Sequence, residues 1–404
     1  MQKKYLILGL GLSGRSAAFF LLSQNEKVIA IDNNLVEDDE IKKLKENKNI
    51  TIFNKNIFCD FSYIKKVVVS PGINPNHEIL IKAKKNNIEI ISEIELGSQF
   101  LKNQCIGITG TNGKTTLTKL ITHILNENNI VAKALGNIKT PLTSYIIKAN
   151  IKDILVIELS SFQLERTQTR FLDAAIITNI TPDHLDRYES FQEYVKAKLN
   201  ILKILKKRKI LFTTKKVIKS FIVKNTNINI KEVKEEMADI ALDVCLDFKI
   251  SKEKILKAIK TFKNVTHRLE FVREINGISF YNDSKATNIH SVIYAVEKIK
   301  KPIILIAGGV DKGKNYQEWK KVFENRVEYI LLIGMSAKKI KNDLKGFKVE
   351  IFPSLELASK KAFSLAKNFY NILFSPGCSS FDMFKNFEHR GDEFKKIVNS
   401  FEEK

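Results

Sequence analysis

The sequence feature that most constrains the fold is the loop Gly110-Thr111-Asn112-Gly113-Lys114-Thr115-Thr116, which stands between an apolar strand, Cys105–Thr109, and a predicted helix. In such loops the backbone N–H groups surround phosphate oxygens, the lysine reaches the β- and γ-phosphates, and the threonine hydroxyl binds Mg²⁺. The first glycine of the usual motif is replaced by Ile108, but the strand, loop and helix follow in the required order. The sequence therefore predicts a parallel α/β domain that binds a nucleoside triphosphate.

Further along the chain, three single residues are candidates for the same site. Glu158 ends an apolar strand, where parallel sheets bind ligands, and it is either a Mg²⁺ ligand or a solvated acid. His184 follows Thr181-Pro182-Asp183, a pattern typical of a helix start, and such a histidine is either structural or catalytic. Lys198 lies in the apolar seam of a helix predicted from about Phe191 to Lys206. Its ammonium is therefore paired, chemically altered, or directed to solvent at the edge of the seam.

A second glycine motif lies near the N-terminus. Gly9-Leu10-Gly11-Leu12-Ser13-Gly14 follows a predicted strand, and Asp32 ends the next one. Taken alone, this pattern is typical of dinucleotide oxidoreductases, because the helix N-terminus binds a diphosphate and the acid binds a ribose. Physically, it supports a ligand that carries a nucleoside diphosphate, and this ligand need not be a redox cofactor. The turn Ser70-Pro71-Gly72 follows another strand, Lys66–Val69.

The last third of the chain carries three polar runs that each follow an apolar strand. The runs are Asn282–Asn288, Gly308–Gly313 and Ser375–Asp382, and His267-Arg268 precede the first strand. Because parallel strands expose their carboxyl ends together, we expect these runs to converge on one rim of a sheet.

The whole chain alternates strands and helices, which predicts an α/β protein with parallel sheets covered on both faces. Boundaries near 100 and 265 divide it into three predicted domains, residues 1–100, 101–264 and 265–404. The four cysteines form no CxxC pair, so neither a disulfide framework nor a zinc ribbon is expected.

Charge and hydropathy limit the possible partners and location. With 67 Lys and Arg against 45 Asp and Glu, the net charge of +22 favours an anionic partner such as nucleic acid, anionic lipid or a phosphorylated metabolite. The lysines are spread along the chain, so we expect no nucleic-acid partner.

Residues 1–22 imitate a signal peptide, but Arg15 interrupts the apolar run. No apolar segment reaches the length of a membrane span, and a soluble cytoplasmic protein without stable membrane insertion is expected.

Taken together, these motifs resemble the Mur ligase family. Gly110–Thr116 is similar to its ATP loop, and Glu158–Leu164 and Thr178–Arg187 are similar to its central segments. Asn282–Asn288 and Lys385–Asp392 resemble the D-glutamate-adding branch, and the DNPR-type signature of the meso-diaminopimelate-adding branch is absent. The resemblance implies a Rossmann-like N-terminal domain, a central P-loop ATPase domain and a Rossmann-like C-terminal domain. It also implies an ATP-dependent amide ligase of peptidoglycan synthesis that acts on UDP-N-acetylmuramoyl-L-alanine and D-glutamate, and we expect a monomer.

The resemblance further implies a role for each motif. The UDP-substrate would contact Leu12, Ser13, Asp32, Ser70, Pro71, Gly72 and Asn137. ATP would contact Gly110, Thr111, Asn112, Gly113, Lys114, Thr115, Thr116, Arg268 and Asp283. One Mg²⁺ would be held by Thr115 and Glu158, and a second by His184 and a carbamylated Lys198. Lys114, His184 and Lys198 would be catalytic, and D-glutamate would contact Lys312, Thr287, Ser380 and Phe387.

One departure and three rival functions stay open at this point, and one of the three is the dinucleotide oxidoreductase that Gly9–Gly14 suggests. Family members usually carry an H-N-x-x-N-A-type segment whose asparagine contacts adenine, and the nearest stretch here, Glu236–Leu242, lacks both asparagines. Folylpolyglutamate synthase has a similar ATP loop but lacks an N-terminal UDP domain. A basic P-loop ATPase that acts on nucleic acid is the rival from a different functional class.

Overall fold

The computed structural model describes residues 3–55, 60–185, 187–222, 228–263, 265–311, 313 and 315–402. The chain forms two compact units, Met1–Pro182 with Arg187–Phe262, and Asp183–Asp186 with Lys263–Lys404. The first unit contains two sheets and the second unit contains one. Each of the three predicted segments thus carries one sheet, and the α/β class predicted from the sequence is confirmed.

The first sheet is wholly parallel in the order β3-β2-β1-β4-β5. Its strands are β1 (Lys4–Leu8), β2 (Val28–Ile31), β3 (Ile50–Phe53), β4 (Ile64–Val69) and β5 (Ile90–Ser92). Its helices are α1 (Leu12–Ser23), α2 (Asp39–Lys45), α3 (Glu78–Lys85) and α4 (Glu93–Ser98). The strand order reverses between β1 and β4, which is the point where open parallel sheets bind ligands. The glycine motif follows β1 and the Ser70–Gly72 turn follows β4, so both lie at this switch point.

The second sheet is also parallel, in the order β11-β10-β9-β6-β8-β7. Its strands are β6 (Gln104–Thr109), β7 (Ala132–Gly136), β8 (Ile154–Glu158), β9 (Leu172–Ile177), β10 (Leu205–Thr214) and β11 (Asn229–Val233). Its helices are α5 (Lys114–Glu127), α6 (Leu142–Ile146), α7 (Ser161–Leu164), α8 (Phe191–Leu199), α9 (Lys215–Phe221), α10 (Met237–Leu246) and α11 (Lys252–Thr261). Strand β6, which leads into the phosphate loop, lies between β9 and β8.

The third sheet has the order β12-β13-β17-β14-β15-β16. Its strands are β12 (Glu270–Ile275), β13 (Ile278–Asn282), β14 (Ile303–Gly308), β15 (Val327–Ile333), β16 (Val349–Ile351) and β17 (Asn371–Phe374). Its helices are α12 (Ile289–Lys298), α13 (Lys320–Phe323), α14 (Ala337–Asp343), α15 (Leu355–Leu365) and α16 (Phe387–Asn399). Strands β13, β17 and β14 are neighbours, so the three polar runs that follow them share one rim, as predicted.

The sheets are buried on both faces because alternate residues of each strand point to opposite sides. In β1, Leu6 and Leu8 join one apolar cluster, while Tyr5 and Ile7 join another. The same division separates Ile303, Leu305 and Ala307 from Ile304 and Ile306 in β14. Such strands read as continuous apolar runs in the sequence, which is why they could be predicted.

Three expectations about local structure are wrong. The helix predicted from Phe191 to Lys206 ends at Leu199, because Leu205 begins strand β10, which pairs with β9. The third sheet is not wholly parallel, since β12 pairs antiparallel with β13. His184 does not stand at a helix start, because its backbone is left-handed at φ +56 and the next helix begins at Phe191.

No helix in the described part of the chain combines the length and the apolar character that crossing a bilayer requires.

Candidate functional site

The phosphate loop is shaped by two glycines with left-handed backbone. Gly110 has φ +147 and Gly113 has φ +85, and Gly113 caps helix α5. A Cβ atom at Gly110 would lie 2.0 Å from the hydroxyl oxygen of Thr178, so any side chain there would displace the loop. The Lys114 ammonium donates to the carbonyl oxygens of Gly110 at 2.9 Å and Thr111 at 3.0 Å. The loop therefore presents a lysine at a helix N-terminus, as anion binding requires.

The segment after β9 holds this loop in place. Thr111 N donates to the Asn179 carbonyl at 2.9 Å, and Asn112 N donates to the Asn179 side chain at 2.9 Å. The Thr178 hydroxyl donates to the Asn112 carbonyl at 2.7 Å, and the Thr111 hydroxyl donates to the Thr181 carbonyl at 3.0 Å. Residues 178–181 thus fix the loop conformation before any ligand binds, which lowers the ordering cost of binding.

Glu158 is a buried carboxylate beside the phosphate loop. Its residue is 2% exposed, so the alternative of a solvated strand-end acid is wrong. Asn137 donates from its side chain to Glu158 Oε1 at 2.9 Å and from its backbone to the Glu158 carbonyl at 2.9 Å. Among the described residues, Glu158 Oε2 has no hydrogen-bond partner although it is buried. A buried carboxylate oxygen without a donor is unfavourable unless a cation or a donor from a ligand approaches it.

Lys198 is buried in α8 at 2% exposure, so the alternative of a lysine directed to solvent is also wrong. Its ammonium donates to the Gly110 carbonyl at 2.7 Å and lies 4.6 Å from the centre of the Tyr194 ring. The Tyr194 hydroxyl lies 3.1 Å from the Thr111 hydroxyl. Two ammonium groups, those of Lys114 and Lys198, therefore meet at one carbonyl of the phosphate loop, and they give this corner a positive potential suited to an anion.

The N-terminal glycine turn is held by hydrogen bonds to the residues that follow strands β2 and β4. A Cβ atom at Gly14 would lie 1.8 Å from the Gly9 carbonyl oxygen, so helix α1 reaches the turn only with glycine there. The Ser70 hydroxyl donates to the same Gly9 carbonyl at 2.8 Å. Asp32 Oδ2 accepts from Leu10 N at 2.6 Å. The candidate UDP-substrate residues after β1, β2 and β4 thus lie together at the switch point.

A small pocket lies beside Ser70 and Pro71. Two of its lining residues, Phe162 and Arg187, have no role predicted from the sequence. The Arg187 guanidinium donates to the Pro71 carbonyl at 2.8 Å, and its carbon lies 3.8 Å from the centre of the Phe162 ring. Both residues belong to the Glu158–Leu164 and Thr178–Arg187 segments, but only the folded chain shows that they lie beside the Ser70–Pro71 turn.

In the second unit, Asp283 is buried at the carboxyl end of β13. It accepts hydrogen bonds from the Ser375 hydroxyl at 2.7 Å and from Leu269 N at 3.2 Å. Burial raises the pKa of Asp283 to about 6, and the positive charge of Arg268 opposes that rise. Asp283 and Arg268, which the sequence predicts as ATP contacts, therefore lie close enough to interact within one unit.

The candidate D-glutamate residues lie on the loops of the same rim. Ser380 is buried, Thr287 is half-buried, and the centre of the Phe387 ring lies 5.5 Å from the Lys285 ammonium. Lys312 lies outside the described residues. His184 belongs to the second unit, where Asp183 beside it accepts from the Asn288 side chain at 3.2 Å.

Arg390 was not predicted as a site residue, but it joins two of these loops. Its guanidinium donates to the Ser284 hydroxyl at 3.1 Å, to the Ser284 carbonyl at 2.8 Å and to the Cys378 carbonyl at 3.1 Å. Burial lowers the pKa of Arg390 to about 10. The only signal in the sequence is its place in the Lys385–Asp392 segment, since burial of an arginine in α16 cannot be read from local pattern.

Comparison with known proteins accounts for these sites together. Family models match residues 3–92 as the N-terminal domain of MurD-like Mur ligases, 108–293 as a Mur ligase middle domain and 267–378 as a Mur ligase glutamate ligase domain. The UDP-N-acetylmuramoylalanine--D-glutamate ligase of Protochlamydia amoebophila is 42% identical, with 98% of both chains covered. The chain belongs to the Mur ligase family. A ligase of the same name from Thermoanaerobacter pseudethanolicus is 37% identical over 98% of both chains.

Solved structures of Mur ligases share the fold. MurF of Thermotoga maritima, solved in complex with ADP, covers 98% of both chains at 13% identity with a TM-score of 0.62. MurC of the same organism covers 98% of this chain and 99% of its own at 17% identity with a TM-score of 0.60. The three sheets therefore correspond to the N-terminal, central and C-terminal arrangement of Mur ligases, as the resemblance implied.

Membership of the Mur ligase family also decides between the interpretations of the glycine motif. The match over residues 3–92 assigns Gly9–Gly14 to a Mur ligase N-terminal domain and not to a dinucleotide oxidoreductase. The same match distinguishes this Mur ligase from folylpolyglutamate synthase, which is expected to lack that domain.

Proposed function

We propose that this Mur ligase uses ATP to join D-glutamate to UDP-N-acetylmuramoyl-L-alanine in peptidoglycan synthesis. The observation that carries the proposal is the 42% identity with a ligase of that name over 98% of both chains. The phosphate loop, with Lys114 at the N-terminus of α5, suits the triphosphate that an ATP-dependent ligase binds.

The reaction needs ATP because a carboxylate is a poor electrophile. Transfer of the γ-phosphoryl group to the L-alanyl carboxylate gives an acyl phosphate, and the D-glutamate amine then attacks its carbonyl carbon. The products are an amide, ADP and phosphate. Phosphoryl transfer depends on positioning and on neutralising charge. The Lys114 ammonium would supply positive charge at the transferred group.

Mg²⁺ fits the residues at the loop. Mg²⁺ in such enzymes is usually held by one or two carboxylates, substrate phosphates and water, with no dedicated protein cage. Thr115 supplies a hydroxyl, and Glu158 supplies the buried carboxylate oxygen that has no donor among the described residues. The described residues contain no cluster of three or more His, Cys, Asp or Glu side chains suited to a metal. When bound, Mg²⁺ would neutralise charge on the phosphate oxygens.

A second metal position is part of the proposal. His184 and Lys198 would hold it, with Lys198 carbamylated so that it offers anionic oxygen in place of an ammonium. The support for carbamylation is the position of Lys198, which is buried beside the phosphate loop, where a carbamate would give a hard cation an oxygen ligand.

The substrates are assigned to the two remaining groups of residues. The UDP part would bind at the switch point of the first sheet, through Leu12, Ser13, Asp32, Ser70, Pro71 and Gly72, and Asn137 would contact it from the loop after β7 of the second sheet. D-glutamate would bind at the rim of the third sheet, through Thr287, Lys312, Ser380 and Phe387. We also propose that the enzyme is cytoplasmic and acts as a monomer. Sedimentation of the purified protein tests whether it is a monomer.

Phosphate release tests the proposed reaction. The purified protein is given ATP, Mg²⁺ and UDP-N-acetylmuramoyl-L-alanine, with D- and L-amino acids added one at a time. Release that requires both the UDP-substrate and D-glutamate is expected. Release with L-lysine that equals release with D-glutamate would overturn the amino-acid assignment, and release stimulated by nucleic acid alone would overturn the ligase assignment.

A further inference from the structure

A buried carboxylate, Glu93, joins three helices of the first unit. Glu93 is the first residue of α4 and is 2% exposed. Its Oε1 accepts from Thr143 N at 2.5 Å and from the Thr143 hydroxyl at 2.7 Å. The Thr143 and Ser16 hydroxyl oxygens lie 2.6 Å apart. Because the single Thr143 hydroxyl proton goes to Glu93, the Ser16 hydroxyl donates to Thr143, and a chain of hydrogen bonds runs from α1 through α6 to α4.

Glu93 supplies the N-terminal cap that α6 lacks locally. The cap position is Pro141, whose side chain makes no capping hydrogen bond, and Glu93 accepts from the second residue of the helix instead. Helix α4 lies very close to α6 here, since a Cβ atom at Gly97 would be 3.1 Å from Leu142 Cγ. The start of α6 is therefore fixed by α4 and not by its own preceding loop.

The joined helices carry both sides of the UDP-substrate site. Helix α1 begins at the glycine turn, with Ser16 five residues after Gly11. The residues just before α6 include Asn137, which holds the Glu158 carboxylate. We propose that Glu93 is a positioning residue, which sets the Asn137 loop against the glycine turn so that both contact the UDP-substrate together. This inference rests on the proposed assignment of those two elements to the UDP-substrate.

The charge of Glu93 makes this link sensitive to pH. Burial raises the pKa of Glu93 to about 7, against the opposing effect of the bonds from Thr143. The other charged and titratable groups of α1, α4 and α6 form hydrogen bonds or ion pairs with residues other than Glu93. Arg15 of α1 pairs with Asp38, Tyr145 of α6 donates to the Asn150 carbonyl, and Glu95 of α4 accepts from Gln168 and Thr169. The raised pKa shows that burial disfavours the carboxylate more than the bonds from Thr143 favour it, so the packed arrangement is most stable with Glu93 protonated and the link weakens as pH rises through about 7.

Steady-state kinetics of Glu93 variants test the positioning role. For Glu93→Ala we expect the KM for UDP-N-acetylmuramoyl-L-alanine to rise about tenfold, while the KM for D-glutamate stays within about twofold. Glu93→Gln keeps an acceptor for Thr143 but has no charge, so it should restore much of the affinity and remove the pH dependence of that KM near neutral pH. If Glu93→Ala does not fold, the pH profile of Glu93→Gln alone carries the test.

Glu95→Gln is the matched control, because Glu95 is a buried carboxylate of the same helix that bonds to Gln168 and Thr169 instead of α6. Equal effects of Glu93→Gln and Glu95→Gln on the KM and its pH profile would overturn the inference. Calorimetric measurement of UDP-substrate binding separates a failure of the proposed UDP-substrate site from a failure of the proposed role of Glu93. Failure of the unmodified protein to bind overturns the site assignment, whereas equal binding by the unmodified protein and Glu93→Ala overturns only the role of Glu93.

Discussion

Replacing Asp283 by asparagine should stabilise the second unit in a pH-dependent way while it removes activity. Burial raises the pKa of Asp283 from 3.8 to about 6, which corresponds to about 3 kcal/mol of unfolding free energy. Because the folded pKa is the higher one, this contribution is fully present below about pH 3.8 and is lost as pH rises through about 6. Asparagine does not titrate, so the unfolding free energy of Asp283→Asn does not fall in this way as pH rises. Between about pH 4 and about pH 7.5, the variant should therefore gain about 3 kcal/mol relative to the unmodified protein.

Urea unfolding followed by tryptophan fluorescence measures this difference. The chain has a single tryptophan, Trp319, which is fully buried in the second unit, so its signal reports that unit and not the first. Asp382→Asn is the matched control, because Asp382 lies on the same rim, accepts from Met335 N at 3.0 Å and is partly exposed. Identical pH dependence of the unfolding free energy in Asp283→Asn and the unmodified protein would refute the reasoning. Full ligase activity of Asp283→Asn would refute its proposed contact with ATP.

Three further outcomes are expected. Lys198→Ala should lose most activity, and short carboxylic acids should restore part of it by replacing carbamate oxygens; near-normal turnover of the variant would contradict the metal role. Gly14→Ala should weaken binding of the UDP-substrate and lower the thermal midpoint, because its Cβ would lie 1.8 Å from the Gly9 carbonyl oxygen. Gly11→Ala, whose Cβ meets no atom within 4 Å, is its control, and equal midpoints for the two variants would contradict the steric argument. Lys312→Ala should raise the KM for D-glutamate far more than the KM for ATP, and a parallel rise of both would contradict an amino-acid contact.

The sequence by itself determined the local parts of the site. The phosphate loop depends on glycines at fixed spacing between a strand and a helix, and these are properties of adjacent residues. The polar runs after β13, β14 and β17 could be predicted to converge because every parallel strand ends on the same edge. The specific substrates, in contrast, came from the resemblance of whole motifs to a family, because loop geometry alone does not distinguish one acceptor carboxylate from another.

The tertiary structure alone decided which distant groups meet and which are buried. Lys198 reaches the carbonyl of Gly110, which lies 88 residues earlier, and Glu93 caps a helix that starts near Thr143, 50 residues later. The end of α8 at Leu199 was missed for the same reason, since β10 is fixed by its pairing with β9. Hydrophobic periodicity shows which side of an element is buried, but strand order and helix packing determine which groups it is buried against. Desolvation and hydrogen bonding depend on those neighbours. For this reason the Glu158 oxygen that has no donor among the described residues, and the raised pKa values of Glu93 and Asp283, exist only in the folded chain.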